Sequence, residues 1–409
     1  MSTNRRDFLK TASLLGWGAT VPTFLGKTAQ AAPNAAKPGA KDTILVVVQL
    51  TGGNDGLNTV IPFTDPTYKK LRPTLAIPAD QVRKLNDSIG LHPRMNGFAD
   101  LHEDSKLCVV QGVGYPNPSQ SHFRSMDIWH AASTAETLTE GWLGKSLKTL
   151  KSPSFHLAAG NESAPLALSG APARVPSITS LEDFQLKTGG SSGVDAQAQR
   201  KLIESAAAMP TGQGNLLDFV QRTATSTYDS SKRLQEIGKN YVPKVTYPGT
   251  ALAARLRLAA QLISADVGAR IFYVSMDGFD THASQAASHG NLLATFSDAI
   301  SAFYRDVAAH GHGDRVMVMT FSEFGRRAGE NGSEGTDHGS GAPMFLVGNR
   351  VQAGLVNAHP DLTKLDDGNL RHSMDFRQVY ASVLEQWLGV PSEPILGGKF
   401  APAAVLTRS

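Results

Sequence analysis

The chain has 409 residues, of which 41% are hydrophobic and 18% are charged, with 39 glycines and one cysteine. This apolar fraction suffices for a hydrophobic core and excludes wholesale disorder, while the length suits one large α/β domain or two ordinary ones. The formal net charge of +3 arises within the first 31 residues, where four basic residues accompany one acidic residue. Charges balance in the rest of the chain, so no nucleic-acid partner is indicated.

The N-terminal segment has the pattern of an export signal. Arg5 and Arg6 precede a weakly apolar stretch from Thr11 to Leu25, and Ala29-Gln30-Ala31 is typical of a cleavage site. The stretch is short and interrupted by glycine and proline, which argues against a stable membrane anchor. We therefore expect residues 1–31 to be a twin-arginine signal read by the twin-arginine export machinery, and the mature protein to be periplasmic or secreted.

Apolar runs then alternate with segments of helical periodicity. The runs do not alternate with polar residues, which predicts strands covered on both faces of a parallel sheet. These expected strands are Thr43–Leu50, Leu107–Val113, Ile271–Ser275, Arg315–Phe321 and Pro343–Val347. The spacing of apolar residues predicts helices at Ala251–Ala265, Asn291–Ala309 and Phe376–Leu388. The predicted fold class is α/β, doubly wound, with a mostly parallel central sheet and helices on both faces.

Residues 32–409 are expected to form this one domain, with one irregular region. Lys187–Val194 is rich in glycine and serine, and polar sequence rich in alanine and glutamine follows it to about residue 240. We interpret residues 195–240 as a helical insertion, either a cap on one side of the sheet or an ordinary pair of crossover helices.

Polar clusters follow four of the expected strands, at the point where each strand ends. Because the carboxyl ends of parallel strands meet at one edge of a sheet, we expect these clusters to converge there. The candidate ligands among them are Asp55, Asp280, His282, Glu323 and His338. Carboxylates and imidazoles without a thiolate suit zinc, manganese, magnesium or calcium. The sequence therefore predicts a site for one or two divalent ions.

Two of these motifs also have simpler interpretations. Asp280 and His282 are two residues apart and point to the same side of an extended segment, but such a pair is more often an ordinary surface pair. Gly52 and Gly53 permit positive φ and a close backbone approach beside Asp55, but a tight strand-to-helix turn alone would require them. It is the convergence of the clusters that favours a metal site.

Six motifs, together with the N-terminal signal, resemble domain-of-unknown-function family 1501 over nearly the whole mature chain. They are Gly52–Val60, Leu91–Pro93, Ser121–Phe123, Phe279–His282, Ser322–Arg326 and Thr336–Gly339. The resemblance implies a fold similar to that of the alkaline phosphatase and sulfatase superfamily. Members of that superfamily mostly cleave phosphate or sulfate esters with one or two bound metal ions.

The resemblance also implies roles for metal ligands. Asp55 matches the ligand that follows the first strand, and His338 matches the last histidine. Asp280 and His282 match a metal pair, although their spacing is tighter than usual. Glu323 occupies the place of an Asp-His pair, and Phe324 stands where an imidazole is expected. That loss suggests one metal ion instead of two, or a site that does not catalyse.

The resulting hypothesis is an exported metal-dependent hydrolase or transferase that acts on a phosphate- or sulfate-type ester. Ser121 is the candidate nucleophile, at a helix start that favours an anion, and His122 next to it is the second catalytic candidate. Arg124 or Arg326 would hold non-bridging oxygens by paired hydrogen bonds. The sulfatase signature is missing, since no proline follows Ser121 in the required place, which disfavours a formylglycine sulfatase.

Two other interpretations remain open. A catalytically inactive binding or assembly protein with the same fold would hold a polysaccharide or a partner in the cleft. A metal-free serine hydrolase would use Ser121 as nucleophile and His338 as base, although the G-x-S-x-G motif is absent.

Overall fold

A computed structural model of the protein describes residues 43–181 and 240–407. The expected export signal lies outside the described residues, and so does the expected insertion at 195–240, apart from its last residue. None of the helices in the described ranges has the length and apolar character that a membrane span requires.

Strands and helices alternate along the described chain. The strands are β1 (Ile44–Leu50), β2 (Val60–Ile61), β3 (Arg83–Lys84), β4 (Gly90–Leu91), β5 (Leu107–Gly114), β6 (Ser154–Leu157), β7 (Ser177–Ile178), β8 (Ile271–Met276), β9 (Val316–Ser322), β10 (Ala342–Val347), β11 (Gly354–Val356) and β12 (Met374–Asp375). The helices are α1 (Gly56–Thr59), α2 (Pro66–Leu71), α3 (Asn96–Glu103), α4 (His122–Ala131), α5 (Trp142–Leu150), α6 (Ala251–Ser264), α7 (Gln285–Ala309), α8 (Phe376–Ser382) and α9 (Glu393–Leu396). A 3₁₀ turn spans Leu166–Leu168, and a π-helical turn, Val383–Leu388, continues α8.

The main sheet of the described chain runs in the order β11-β5-β10-β9-β1-β8-β6-β7, with β12 beside β5. β1 lies between β8 and β9 and is parallel to both. Successive residues of β1 point to opposite faces, so that Val46 packs in one core and Val47 in the other. Helices α3, α6 and α7 supply the first core, and α4, α5 and α8 supply the second. The predicted fold class is confirmed: an α/β fold with a mostly parallel central sheet flanked by helices.

β10 departs from the expected parallel arrangement, because it runs antiparallel to both of its neighbours, β5 and β9. An apolar run such as Pro343–Val347 indicates burial on both faces, but it carries no information about strand direction. Because β10 is antiparallel to both β5 and β9, these two strands are parallel to each other. β5 therefore runs in the same direction as β9, β1 and β8. The segments that follow these four strands therefore leave the sheet at one edge.

Candidate metal centre

Three histidines and one aspartate meet at this edge of the sheet. His122 begins α4, after β5, whereas Asp280 and His282 follow β8 and His338 precedes β10. One ligand atom from each of His122, Asp280 and His338 lies within 4.8 Å of the others. The Nε2 atom of His282 joins this group, 2.9 Å from Nε2 of His338 and 3.0 Å from Oδ1 of Asp280. The structure thus brings together three of the five predicted metal ligands and adds His122.

Each of the three imidazoles turns its Nδ1 atom toward an oxygen acceptor. The Nδ1 of His122 donates to Oε1 of Glu323 at 2.8 Å, and the Nδ1 of His338 donates to a backbone carbonyl oxygen at 2.8 Å. The Nδ1 of His282 faces Oδ1 of Asp337 at 3.5 Å. Because these oxygens accept hydrogen bonds from the Nδ1 atoms of His122 and His338, the Nε2 lone pairs of these two imidazoles are left for the space beside Asp280.

The donor atoms fit a bound transition-metal ion. The Nε2 atom of His122 is buried and has no hydrogen-bond partner in the described part of the chain. The Nε2 atoms of His282 and His338 face each other at 2.9 Å, and two lone pairs at that distance repel unless a proton or a cation lies between them. Three imidazole nitrogens with one carboxylate suit zinc and its neighbours, whereas magnesium and calcium prefer oxygen ligands.

Glu323 is a buried hydrogen-bond partner of one of these histidines, His122. Its side chain is fully buried, and its Oε1 atom accepts from the backbone N–H of Gly52 as well as from His122. Its Oε2 atom accepts from the hydroxyl of Ser322 at 3.1 Å. The hydrogen bond to Glu323 raises the pKa of His122. We therefore assign Glu323 to the orientation of His122, which corrects its predicted place among the metal ligands.

Asp55 belongs to a buried ion pair. Arg72 donates to both carboxylate oxygens, at 2.6 and 2.9 Å, and Gln285 donates to one of them. Burial by itself raises the pKa of Asp55, but the adjacent Arg72 guanidinium outweighs it and lowers the pKa to about 2. Since a guanidinium occupies both oxygens, we assign Asp55 to this ion pair and not to the metal centre, where the sequence placed it.

The two arginines expected to hold an anion are both engaged by the protein. Arg326 is 1% exposed and donates to four backbone carbonyls and, at 2.6 Å, to Oδ1 of Asp280. Burial raises the pKa of Asp280, yet the hydrogen bond and charge of Arg326 together with His338 and His282 outweigh it, and the pKa falls. Arg124 donates to the carbonyls of residues 134–136. Arg326 is thus buried away from a substrate and Arg124 is turned toward the loop after α4, so the predicted anion clamp is not assembled in the structure.

Ser121 and Phe324 flank the histidines. Ser121 is exposed at the N-terminus of α4, and its side chain makes no capping hydrogen bond, while its role as nucleophile stays a prediction. The ring of Phe324 lies 4.9 Å from the rings of both His122 and His338. The position where an imidazole was expected therefore supplies an apolar ring beside these two histidines, whose own rings are 4.3 Å apart, and no ligand.

The sequence carries no indication of Arg72 and Gln285, and it pointed to His122 as a catalytic candidate, whereas the geometry makes His122 a candidate ligand. The position of His122 at the start of a helix, in the segment that follows β5, is the signal that would have made it a candidate ligand. No local signal pairs Arg72 with Asp55, because the two are 17 residues apart and meet only through the fold.

Comparisons with known proteins returned one family and several distant structures. The model of the family described as Protein of unknown function (DUF1501) matches residues 42–388, and none of the curated proteins compared with the chain matches it. The lipoteichoic acid synthase LtaP from Listeria monocytogenes is 9% identical, with 89% of this chain and 77% of that chain covered and a TM-score of 0.40. The PsFucS1 sulfatase from Pseudoalteromonas sp. is 12% identical, with 94% and 77% covered and a TM-score of 0.40. The alkaline phosphatase from the Antarctic bacterium TAB5 is 10% identical, with 75% and 91% covered and a TM-score of 0.32.

Replacing Arg72 by methionine leaves the carboxylate of Asp55 buried without its counterion. We expect the free energy of unfolding at pH 7 to fall by about 3–5 kcal/mol, measured by denaturant titration. The control Lys148→Met removes an exposed ion pair with Glu140 and should cost less than about 1 kcal/mol. Since the pKa of Asp55 drops from 3.8 to about 2 on folding, the stabilisation should be complete above pH 4 and decline toward pH 2. Equal losses in the two variants would contradict this assignment.

Replacing Glu323 by glutamine removes the charge that orients His122 and leaves the ligand atoms in place. We expect the affinity for zinc to fall about 10- to 100-fold, measured by competition with a chromophoric chelator. The matched control is Asp337→Asn, because that carboxylate is 54% exposed and 3.5 Å from His282. A loss of affinity as large in the control as in Glu323→Gln would show that Glu323 has no special part.

Proposed function

This chain belongs to the family described as Protein of unknown function (DUF1501), and we propose that it is a metal-dependent hydrolase or transferase of phosphate- or sulfate-type esters. The observation that carries the proposal is the group of His122, Asp280 and His338, with His282 beside it and with the Nδ1 atoms of His122 and His338 each hydrogen-bonded to an oxygen. Side chains arranged in this way place ligand atoms of three residues in one small volume, and the Nε2 atom of His282 lies 2.9 Å from that of His338. That arrangement is what a catalytic metal site requires of a protein.

We propose one ion per chain, and zinc as its identity. The carboxylate of Asp55 is neutralised by Arg72, Glu323 bonds to His122, and Phe324 offers no donor, so the described residues hold donors for a single centre. When bound there, the ion supplies Lewis-acid chemistry: it lowers the pKa of a coordinated hydroxyl or water and stabilises negative charge on the ester.

The N-terminus of α4 supports the choice of an anionic ester. The helix begins at His122, and the side chain of its N-cap residue, Ser121, makes no capping hydrogen bond, so the positive end of the helix dipole faces the edge of the sheet that carries the ligands. Ser121 presents its hydroxyl at this point and is the nucleophile that we propose. With Arg124 and Arg326 engaged elsewhere, the helix end takes over the attraction for the anion that those arginines were expected to provide.

The activity test combines metal analysis with a panel of aryl phosphate, phosphonate and sulfate esters. We expect about one zinc ion per chain, turnover of at least one ester, and loss of that turnover on chelation with recovery on adding zinc. His338→Ala and Asp280→Ala should each lower kcat/KM at least about 100-fold, whereas His312→Ala, outside the cluster, should not.

Three other outcomes would separate the alternatives. Zinc binding without turnover of any ester would favour a binding or assembly protein. Turnover that survives chelation and is blocked by a fluorophosphonate would favour a metal-free serine hydrolase. A protein that neither binds zinc nor turns over an ester would overturn the proposal.

We also propose export through the twin-arginine pathway, which rests on the paired Arg5 and Arg6 and on Ala29-Gln30-Ala31. Replacing both arginines by lysine should keep the protein in the cytoplasm, as followed by cell fractionation. The control is a variant with Lys27→Arg, which keeps the charge of the segment and leaves the arginine pair intact. Unchanged export of the lysine variant would rule out this pathway.

A further inference from the structure

One large apolar side chain stands in solvent beside the metal ligands. Phe123 is 87% exposed, and among the described residues Val242, at 67%, is the other large hydrophobic side chain exposed to a similar degree. A phenylalanine left in water forgoes the stabilisation that burial of its ring would provide. The ring packs against none of the described residues to any large extent, so it is available for contact with a ligand.

The ring is placed next to the ligands by the chain itself. Phe123 follows His122 in the first turn of α4, and the Cα atoms of the two residues are therefore about 3.8 Å apart. Successive side chains of a helix are about 100° apart around its axis. His122 turns inward to Glu323 while Phe123 stays in solvent, so the ring is exposed on the residue next to a candidate ligand.

The turn that carries Phe123 is held firmly on both sides. Arg124 donates to the carbonyls of residues 134–136, and the hydroxyl of Ser125 bonds to the backbone carbonyl of Glu323 and to the hydroxyl of Tyr115. A ring mounted on such an element loses little conformational entropy when a ligand packs against it. The preceding residues, Ser119–Ser121, offer only polar side chains, so Phe123 is the apolar contact at this border of the site.

We propose that Phe123 binds the alcohol part of the ester and selects alcohols that carry a ring with an apolar face, aromatic or sugar. The anionic end of the substrate meets the metal ligands and the N-terminus of α4, while the ring of the alcohol stacks on Phe123. This inference rests on the proposed function, and it adds the class of substrate.

The test measures binding by calorimetry to the zinc-loaded protein, with phenylphosphonate and benzenesulfonate, which have no ester bond to cleave, as ring-bearing probes and inorganic phosphate and sulfate as ring-free probes. Phe123→Ala should weaken the ring-bearing probe that binds by about 3- to 10-fold and leave its ring-free counterpart within about twofold. Phe123→Trp should restore the affinity, because it restores an aromatic face. Val242→Ala, the matched change of an exposed apolar residue, should alter neither.

The other results each overturn the inference in a recognisable way. Equal weakening of both kinds of probe in Phe123→Ala would mean that the residue supports the helix turn instead of a ring. Unchanged binding, or a dimer in solution that Phe123→Ala dissociates without any effect on the probes, would mean that the ring does not contact the alcohol. A wild-type protein that binds zinc but none of the four probes would overturn the proposed function, and the inference with it.

Discussion

The site depends on a single buried guanidinium. Arg326 donates to the backbone carbonyls that follow β1, to that of Phe279 after β8 and to that of Thr336 before β10, and it also holds Asp280. Removing it would take away the hydrogen bonds that Arg326 donates to these buried carbonyls, at a high cost in free energy. The loops it joins approach so closely that a Cβ atom on Gly52 would lie 2.4 Å from the backbone nitrogen of Asp280, and Gly52 itself has a φ of +118°. The close approach and the guanidinium together fix where Asp280 stands.

Around this centre the acidic residues divide into two kinds. Asp55 and Glu323 are buried and compensated, the first by Arg72 and the second by His122 and a backbone N–H. Their negative charges are used inside the protein, where a carboxylate without such partners would be costly. Asp280 is about half exposed and keeps an oxygen turned toward the histidines. The buried carboxylates thus hold neighbouring side chains in place, whereas Asp280 is itself a candidate metal ligand.

The strands and the edge of the site were predictable because their signals are local. Apolar runs marked β1, β5, β8, β9 and β10 to within about one residue, and the polar residues after each strand marked the edge where ligands meet. Local signals do not identify partners, however. Arg72 carries no mark that it faces Asp55, and nothing near Arg124 shows that its guanidinium turns to the next loop. The roles of charged residues were therefore the least predictable part of the site.

The sequence by itself determined the α/β class, the positions of the buried strands along the chain, the family and the residue types available for a metal ion. Each of these follows from composition, periodicity and motif order. Only the tertiary structure decided which of those residues share one volume. In the structure β10 is antiparallel to β9, Asp55 pairs with Arg72, and Glu323 bonds to His122, which lies beside Asp280. The physical reason is that coordination and charge compensation depend on distances between atoms far apart in the chain, and those distances exist only once the sheet has formed.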